Sequence, residues 1–346
     1  MDPAATATLK TIAQRVGTSV STVSRVLNGS ARHYRISAET EARIRAVAKD
    51  LSFSPNLLAK GLRLRRSNTI GLVIPDISNP FFAAITHTVT VEARNRGFSL
   101  LLCDTQEDTG REIEAIALLQ NRMIEGLIVL PVGQDGRHFD AFTAGHVPIV
   151  LVDRYFPNLR LPYVAADNAL GAVLATRHFI ARGHRRIACI CGLPGSTAND
   201  DRVRGYRTAL AEAGIPIDER LIVGQSFGSQ TGYIETKLLV QRFKDLTAIL
   251  ALSNLIGFGI LQALAEEGIA IPDRISLISF DDQPYSAFLA TPMTTVRQRN
   301  AEMGQLAVKL LFDRIAGGAG AVAEGITLPT ELIERNSVKD LRLQHN

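Results

Sequence analysis

Three cysteines, Cys103, Cys189 and Cys191, stand in 346 residues. So few, in an odd number, exclude the disulfide framework of a small secreted domain. No run of about 18 apolar residues occurs, so the sequence holds no membrane-spanning helix. The first ten residues, MDPAATATLK, lack the apolar core of an export signal. Cys189 and Cys191 form no C-x-x-C pair, and no His or Cys partners stand at zinc-ligand spacing. Gly192-Leu-Pro-Gly195 is neither a phosphate loop nor a dinucleotide fingerprint. No G-x-S-x-G elbow exists. These absences point away from metal, nucleotide and serine-hydrolase chemistry. They lead to the expectation of a soluble cytoplasmic protein with no metal and no cofactor.

What is present is an uneven distribution of charge. The net charge is only +4. Residues 1–66 hold twelve Lys/Arg against four Asp/Glu, a net of +8, and residues 67–346 carry −4. A basic head joined to a mildly acidic body suggests a polyanion-binding module attached to something else. The length allows two or three domains, and 46% apolar residues can build their cores without staples.

In the head, Leu9, Ile12, Ala13 and Val16 recur at the spacing of one helix face, with Thr8 as its cap and Gly17 as its stop. Ser19 caps a second helix with a stripe of Val23, Val26 and Leu27, and Ser37 caps a third from Ala38 to Leu51. Its buried face is Ile44, Val47, Ala48 and Leu51. Two short helices around a tight turn read as helix-turn-helix. The second helix exposes Val20, Ser21, Thr22, Ser24, Arg25 and Asn28. These short polar groups and one Arg suit close approach to base edges in a major groove. After the head, Ser54-Pro55 opens a segment of about two turns ending at Leu62, too short to hold as a helix alone. Arg63 to Asn68 reads as a charged linker.

From Thr69 onward, apolar strands alternate with helices. Strands are expected at 69–75, 98–104, 126–131, 148–153, 186–192, 248–253 and 276–282. Helices are expected at 82–96, 109–122, 169–182, 201–213 and 257–267. Such alternation means parallel sheets covered by helices, here in two series with a cleft between them. Ligands of these sheets bind beyond the carboxyl ends of the strands. Near those ends lie Asp76, Asn79, Phe81, Phe82, Asp104, Gln106, Asp153, Arg154, Arg202, Phe227, Asn254, Asp281 and Asp282. Carboxylates, amides, arginines and phenylalanines around one crevice suit a sugar: polar partners for hydroxyls and an aromatic for the ring face.

Thr11-Ile-Ala, Val16-Gly and then Val20-Ser-Thr-Val-Ser-Arg-Val-Leu-Asn28 resemble the helix-turn-helix of the lactose-repressor (LacI/GalR) family. The resemblance continues through Pro55-Asn56, Ala59 and Leu62, and through Asp76 to Phe82, Val152-Asp-Arg154, Asp167-Asn168 with Gly171, and Arg182 to Ile187. Arg202-x-x-Gly-Tyr206, Phe280-Asp-Asp282 and Thr291 to Val296 extend it over nearly the whole chain. It implies that Val20, Ser21 and Arg25 read bases and that Ser19, Thr22 and Asn28 touch phosphates. Ala59 and Leu62 would belong to a hinge helix that forms on DNA as a pair and wedges Leu62 into the minor groove. Phe82, Arg202, Asn254 and Asp281 would contact the effector, with Asp153 and Phe227 beside them. Two departures stand out. Asn28 to Ser37 takes nine residues where the family usually has six, adding Arg32, His33 and Arg35 as candidate phosphate contacts. Leu255 follows Asn254 where the family usually has Asp.

The resulting expectation is an all-α helix-turn-helix head (1–53), a hinge and linker (54–68), and an α/β bilobed body (69–340) like a periplasmic binding protein. One subdomain would take about 69–165 and 296–325, the other about 166–293 and 328–340. The chain would cross between them near 165–168, 293–297 and 325–330. Function would be that of a transcription regulator, a repressor. It would bind a pseudo-palindromic double-stranded operator as a homodimer and answer to a sugar or sugar acid. The tail from Val338 lacks leucine heptads, so nothing calls for a coiled-coil tetramer. Clustered carboxylates also serve glycoside hydrolysis. A sugar-active enzyme or a solute receptor on the same body fold is therefore the alternative.

Overall fold

The computed structural model describes residues 8–53, 67–140, 147–317 and 325–344. It separates into two units, residues 1–67 and 68–346. The hinge positions Ala59 and Leu62 lie outside the described residues.

The first unit has three helices, α1 (Leu9–Val16), α2 (Val20–Leu27) and α3 (Ala38–Asp50). Each starts where a hydroxyl can take a free backbone N–H. Thr8, Ser19 and Ser37 accept from the amides of Thr11, Thr22 and Thr40. α1 ends at Gly17 with φ +70°, a left-handed stop that costs glycine little. Ile12, Val23, Val26 and Ile44 are fully buried, and Ala13, Val16, Ala31 and Ala48 nearly so. Val47 and Leu51 are half-buried against that core. The Arg43 guanidinium donates to the Val16 carbonyl at 2.9 Å and so ties α3 to the end of α1.

The second unit contains two six-stranded sheets. The first is built from β1 (Thr69–Ile74), β2 (Ser99–Asp104), β3 (Gly126–Val129), β4 (Ile149–Val152), β5 (Tyr163–Ala166) and β11 (Gly325–Leu328), in the order β11-β5-β4-β3-β1-β2. The second contains β6 (Ile187–Ile190), β7 (Ile222–Val223), β8 (Ala248–Ala251), β9 (Ser276–Phe280), β10 (Thr294–Arg297) and β12 (Glu331–Ile333), in the order β12-β10-β9-β8-β6-β7. All pairings are parallel except that of β12 with β10. The chain passes between the sheets after β5, after β10 and between β11 and β12.

The helices are α4 (Pro80–Asn95), α5 (Thr109–Asn121), α6 (Asn168–Ala181), α7 (Thr197–Glu212), α8 (Ser229–Arg242), α9 (Asn254–Glu266) and α10 (Asn300–Ile315). Three start earlier than the apolar periodicity predicts, because polar caps precede the apolar stripe. Asn79 caps α4, Ser196 caps α7, and Ser253 caps α9. Asn254, expected in the loop that precedes a helix, therefore sits at the first position of α9, and Arg202, expected at the second position of its helix, sits well inside α7. α8 lies beyond the predicted pattern. Its Gly232 is needed because a Cβ there would meet the Ile256 carbonyl oxygen at 2.1 Å, where α8 packs on α9.

Each lobe has apolar side chains on both sheet faces. Ile70, Leu72, Ile74, Ile128, Val150 and Val164 pack under α4 and α10. Val73, Leu127, Val129 and Leu151 face the other way, with Phe139 and Leu119. This two-sided burial is why the strands read as continuous apolar runs. Cys189 and Cys191 belong to the second lobe's core, with their sulfurs 3.9 Å apart. No helix among the described residues is long and apolar enough to cross a membrane.

Candidate functional site

Two surfaces gather the predicted residues. The first is the outer face of α2. Ser19, Val20, Ser21, Arg25 and Asn28 are exposed, and Thr22 and Ser24 are partly so. Ser19 Oγ lies 2.8 Å from both Ser21 Oγ and Thr22 Oγ1, which makes a hydroxyl cluster at the helix N-terminus, where anions are favoured. Asn28 donates to the Ser24 carbonyl at 2.7 Å, so its amide closes the last turn of α2. From residue 8 to 36 the sequence has five Lys/Arg and no acidic residue, and Glu39, Glu41 and Asp50 all fall on α3. A surface of short polar side chains, positive charge and no carboxylate suits a polyanion.

The second surface is a cavity of about 350 Å3 between the two sheets of the body. Of the predicted residues, Asp76, Asn79, Phe81, Phe82, Asp153, Arg154, Arg202, Phe227 and Asp281 line it. They come from the carboxyl ends of β1, β4 and β9, from the first turn of α4, from α7 and from the loop before α8. Asp153 and Asp281 stand just past β4 and β9 with φ +68° and +70°. Left-handed backbone is tolerated by Asp better than by most residues, and strain of this kind gathers at functional sites.

The two arginines, Asp153 and Asp281 are buried. The Arg154 guanidinium donates to both oxygens of Glu107 at 2.8 and 2.9 Å, and its face lies 4.8 Å from the Phe227 ring centroid. Arg202 donates to Asn168 Oδ1 at 2.8 Å and to the Leu252 carbonyl at 2.6 Å, with Phe280 beneath it at 4.2 Å. Asp281 accepts from Gln298 at 2.6 Å and from the Asn254 backbone amide at 3.3 Å. Burial pushes the Asp153 carboxyl up to about 6 against the pull of Arg154 and Arg202, and burial also raises Asp281. Four buried polar atoms here have no hydrogen-bond partner: Asp153 Oδ1, Arg154 Nε, Asn254 Oδ1 and Gln298 Oε1. Leaving such atoms unpaired costs about 1–3 kcal/mol each. No group of His, Cys, Asp and Glu among the described residues could hold a metal.

Four predicted residues lie elsewhere. Asp104 is exposed and accepts from the Ile77 and Gln106 amides, and Asp282 is tied to Arg297 and Arg335. Gln106 is exposed outside the cavity wall, and its side chain meets Arg111. Gln106 and Glu107 both have left-handed φ, +53° and +56°, and it is Glu107 that lines the cavity. Asn254 is buried behind the wall, and its amide donates to Asn79 Oδ1 at 3.0 Å. That bond joins the first lobe to the second. Gln298, Ser226, Ser253 and Leu255 also line the cavity. Gln298 follows β10, so the strand-end rule would have found it had that strand been marked.

The profile of the bacterial regulatory proteins of the lacI family matches residues 8–56, and that of the periplasmic binding protein-like domain matches residues 176–338. The HTH-type transcriptional regulator DegA of Bacillus subtilis (strain 168) is 33% identical over 96% of this chain and 98% of its own. The chain belongs to the LacI family. It is a DNA-binding transcription regulator under small-molecule control. The ribose operon repressor of Haemophilus influenzae (strain ATCC 51907 / DSM 11121 / KW20 / Rd) is 32% identical over 89% of this chain and 92% of its own. Among solved structures, a complex of the transcriptional regulator CelR with cellobiose is 32% identical, covers 96% of this chain and 99% of its own, and has a TM-score of 0.72. Leu255 brings an apolar side chain to the cavity wall.

Proposed function

We propose that this LacI-family regulator is a repressor that reads a pseudo-palindromic operator as a homodimer and takes a neutral sugar or sugar derivative in its cleft. On the DNA side, Val20, Ser21 and Arg25 meet base edges, and Ser19, Thr22, Ser24 and Asn28 meet phosphates. Residues 1–53 form the reader and 54–68 the hinge, with Ala59 and Leu62 at the minor groove. Residues 69–340 form the sensor. The protein works on DNA in the cytoplasm and binds its effector without turning it over.

The observation that carries the effector reading is the state of the two buried arginines. Arg154 is held by both oxygens of Glu107, and Arg202 by Asn168 and the Leu252 carbonyl. Asp76, Glu107, Asp153 and Asp281 outnumber them at the wall. An incoming carboxylate would meet committed cations and excess negative charge, whereas a hydroxylated ring would meet acceptors and Phe81, Phe82 and Phe227. The cellobiose bound to CelR and the ribose named in the Haemophilus repressor belong to this class of ligand. A sugar acid, which two arginines in one cleft would otherwise admit, is disfavoured by the same pairing.

Arg154 on Phe227 and Asn254 on Asn79 are contacts between lobes. A ligand that binds better when the lobes are closed biases their angle and, through it, the marginal hinge. Thermal-shift screening of neutral sugars and their matching acids tests the reading. A ligand at 100 times its dissociation constant stabilises by about 2.7 kcal/mol. Neutral sugars should shift the melting of the body, and a response confined to acids would overturn the assignment.

A further inference from the structure

The loop between α2 and α3 carries Arg32, His33, Tyr34 and Arg35. It is a built turn. Ala31 is 3% exposed in the head core, and Ile36 packs against that core. Ser30 donates its amide to the Arg25 carbonyl at 2.9 Å, Tyr34 to the Ser30 carbonyl at 3.2 Å and Ile36 to the Ala31 carbonyl at 3.0 Å. The anchored ends lift Arg32 to Arg35 into solvent, and Arg35 takes a left-handed φ of +52°. Tyr34 is 48% exposed, yet one face of its ring is covered. The Arg25 guanidinium carbon lies 3.9 Å from its centroid, and the His33 ring meets it edge-on at 4.9 Å.

An exposed arginine samples many rotamers, and ordering it opposes binding. Stacking on an aromatic ring uses the face of the guanidinium and leaves its in-plane N–H donors available. Those in-plane donors are what a guanine O6/N7 edge accepts. We propose that Tyr34 is a positioning residue for operator reading. Its ring holds Arg25 on the outer face of α2 with the donor edge free, so this loop sets DNA selectivity through Arg25. The proposal rests on the reading of α2 as the helix that meets base edges.

The test uses the full-length chain and a duplex selected by the wild-type protein from a random-sequence library. Affinity is measured by fluorescence anisotropy for that duplex and for a random duplex of equal length. An exposed cation–π contact corresponds to about a two- to five-fold change per half-site, or about 5- to 30-fold for two half-sites. Tyr34→Ala should lose that much affinity for the selected duplex while its binding to the random duplex stays the same. The salt slope should not change, because no charge is removed. Tyr34→Phe, which keeps the ring, should restore wild-type selectivity. In an Arg25→Ala background, Tyr34→Ala should cause no further loss. Wild-type selectivity in Tyr34→Ala, failure of Tyr34→Phe to rescue, or a full Tyr34→Ala loss without Arg25 would each overturn the positioning role. Wild-type selectivity in Arg25→Ala would instead overturn the reading of the groove by that helix.

Discussion

Arginine serves opposite ends in the two halves of this chain. On α2, Arg25 is exposed in a stretch that has no carboxylate, and its guanidinium lies on the Tyr34 ring. In the body cleft, Arg154 and Arg202 are buried at 5% and 3% exposure, and each is held by at least two acceptors of the protein. The first arrangement keeps the charge in high dielectric, where it attracts a polyanion at long range and is screened by salt. The second keeps charge in low dielectric, where it can persist only if paired. The same side chain is therefore open to an external anion in one place and a scaffold for carboxylates, amides and rings in the other. A basic surface reads as a DNA site, and basic residues in a cleft do not by themselves read as an anion site.

The sharpest way to break this contrast is to remove a buried arginine. Arg202→Ala leaves Asp281 without its nearby cation, leaves Asp153 with Arg154 alone, and orphans Asn168 Oδ1 and the Leu252 carbonyl. Loss of one partner from a buried charged network costs about 3–5 kcal/mol. Urea denaturation should show the body destabilised by that amount and the head unaffected.

Asp153 provides the next largest effect. Its carboxyl is raised from 3.8 to about 6 in the folded body, so between those values the folded state holds more protons than the unfolded one. Stability from this group is present at low pH and is lost as pH rises through about 6, by on the order of 3 kcal/mol in full. Asp153→Asn removes the titration, and asparagine tolerates the left-handed backbone. The variant should gain stability relative to wild type as pH rises from about 4 to 7. A pH-independent difference between the two would show that Asp153 is not strained by burial.

On the exposed side, Arg25→Ala should cost about 1–3 kcal/mol of discrimination per half-site. It should leave the thermal midpoint of the body and its effector affinity unchanged. Competition binding against duplexes altered one base pair at a time checks this, and an equal loss on every duplex would reduce Arg25 to a phosphate contact.

The smallest effect sharpens the comparison most. Glu107 is partly exposed, so releasing its ion pair with Arg154 should change stability by no more than about 1 kcal/mol. Glu107→Gln should free the Arg154 donors and shift ligand preference several-fold from neutral sugars towards their acids, as calorimetric titration of both would report. An unchanged preference would mean that the pairing of Arg154 does not set charge selectivity.

The parts of the fold legible in the sequence are those specified by local chemistry. Thr8, Ser19 and Ser37 mark helix starts because a hydroxyl satisfies an amide two or three residues on. The apolar runs mark strands because both sheet faces are covered. α8 escapes because Gly232 and a mixed face hide it, its glycine being demanded by the neighbouring α9. At the cleft, the strand-end rule finds Asp76, Asp153 and Asp281, since position along a strand determines which residues can reach the crevice. It does not separate Gln106 from Glu107. Two successive left-handed residues after β2 turn one outward and bring the other to Arg154, and no local pattern announces that turn. Asn254 shows the same limit, for its polarity marks the cleft while its amide is taken by Asn79 from the other lobe.

Sequence alone determined that a basic three-helix reader precedes a doubly wound body, because charge, caps and hydrophobic period are properties of neighbouring residues. Only the tertiary structure decided which cations are free and which are engaged. That depends on Glu107 meeting Arg154 across 47 residues and Asn168 meeting Arg202 across 34. Pairings over such distances are set by packing, and they decide whether a charge faces water, a partner or a ligand.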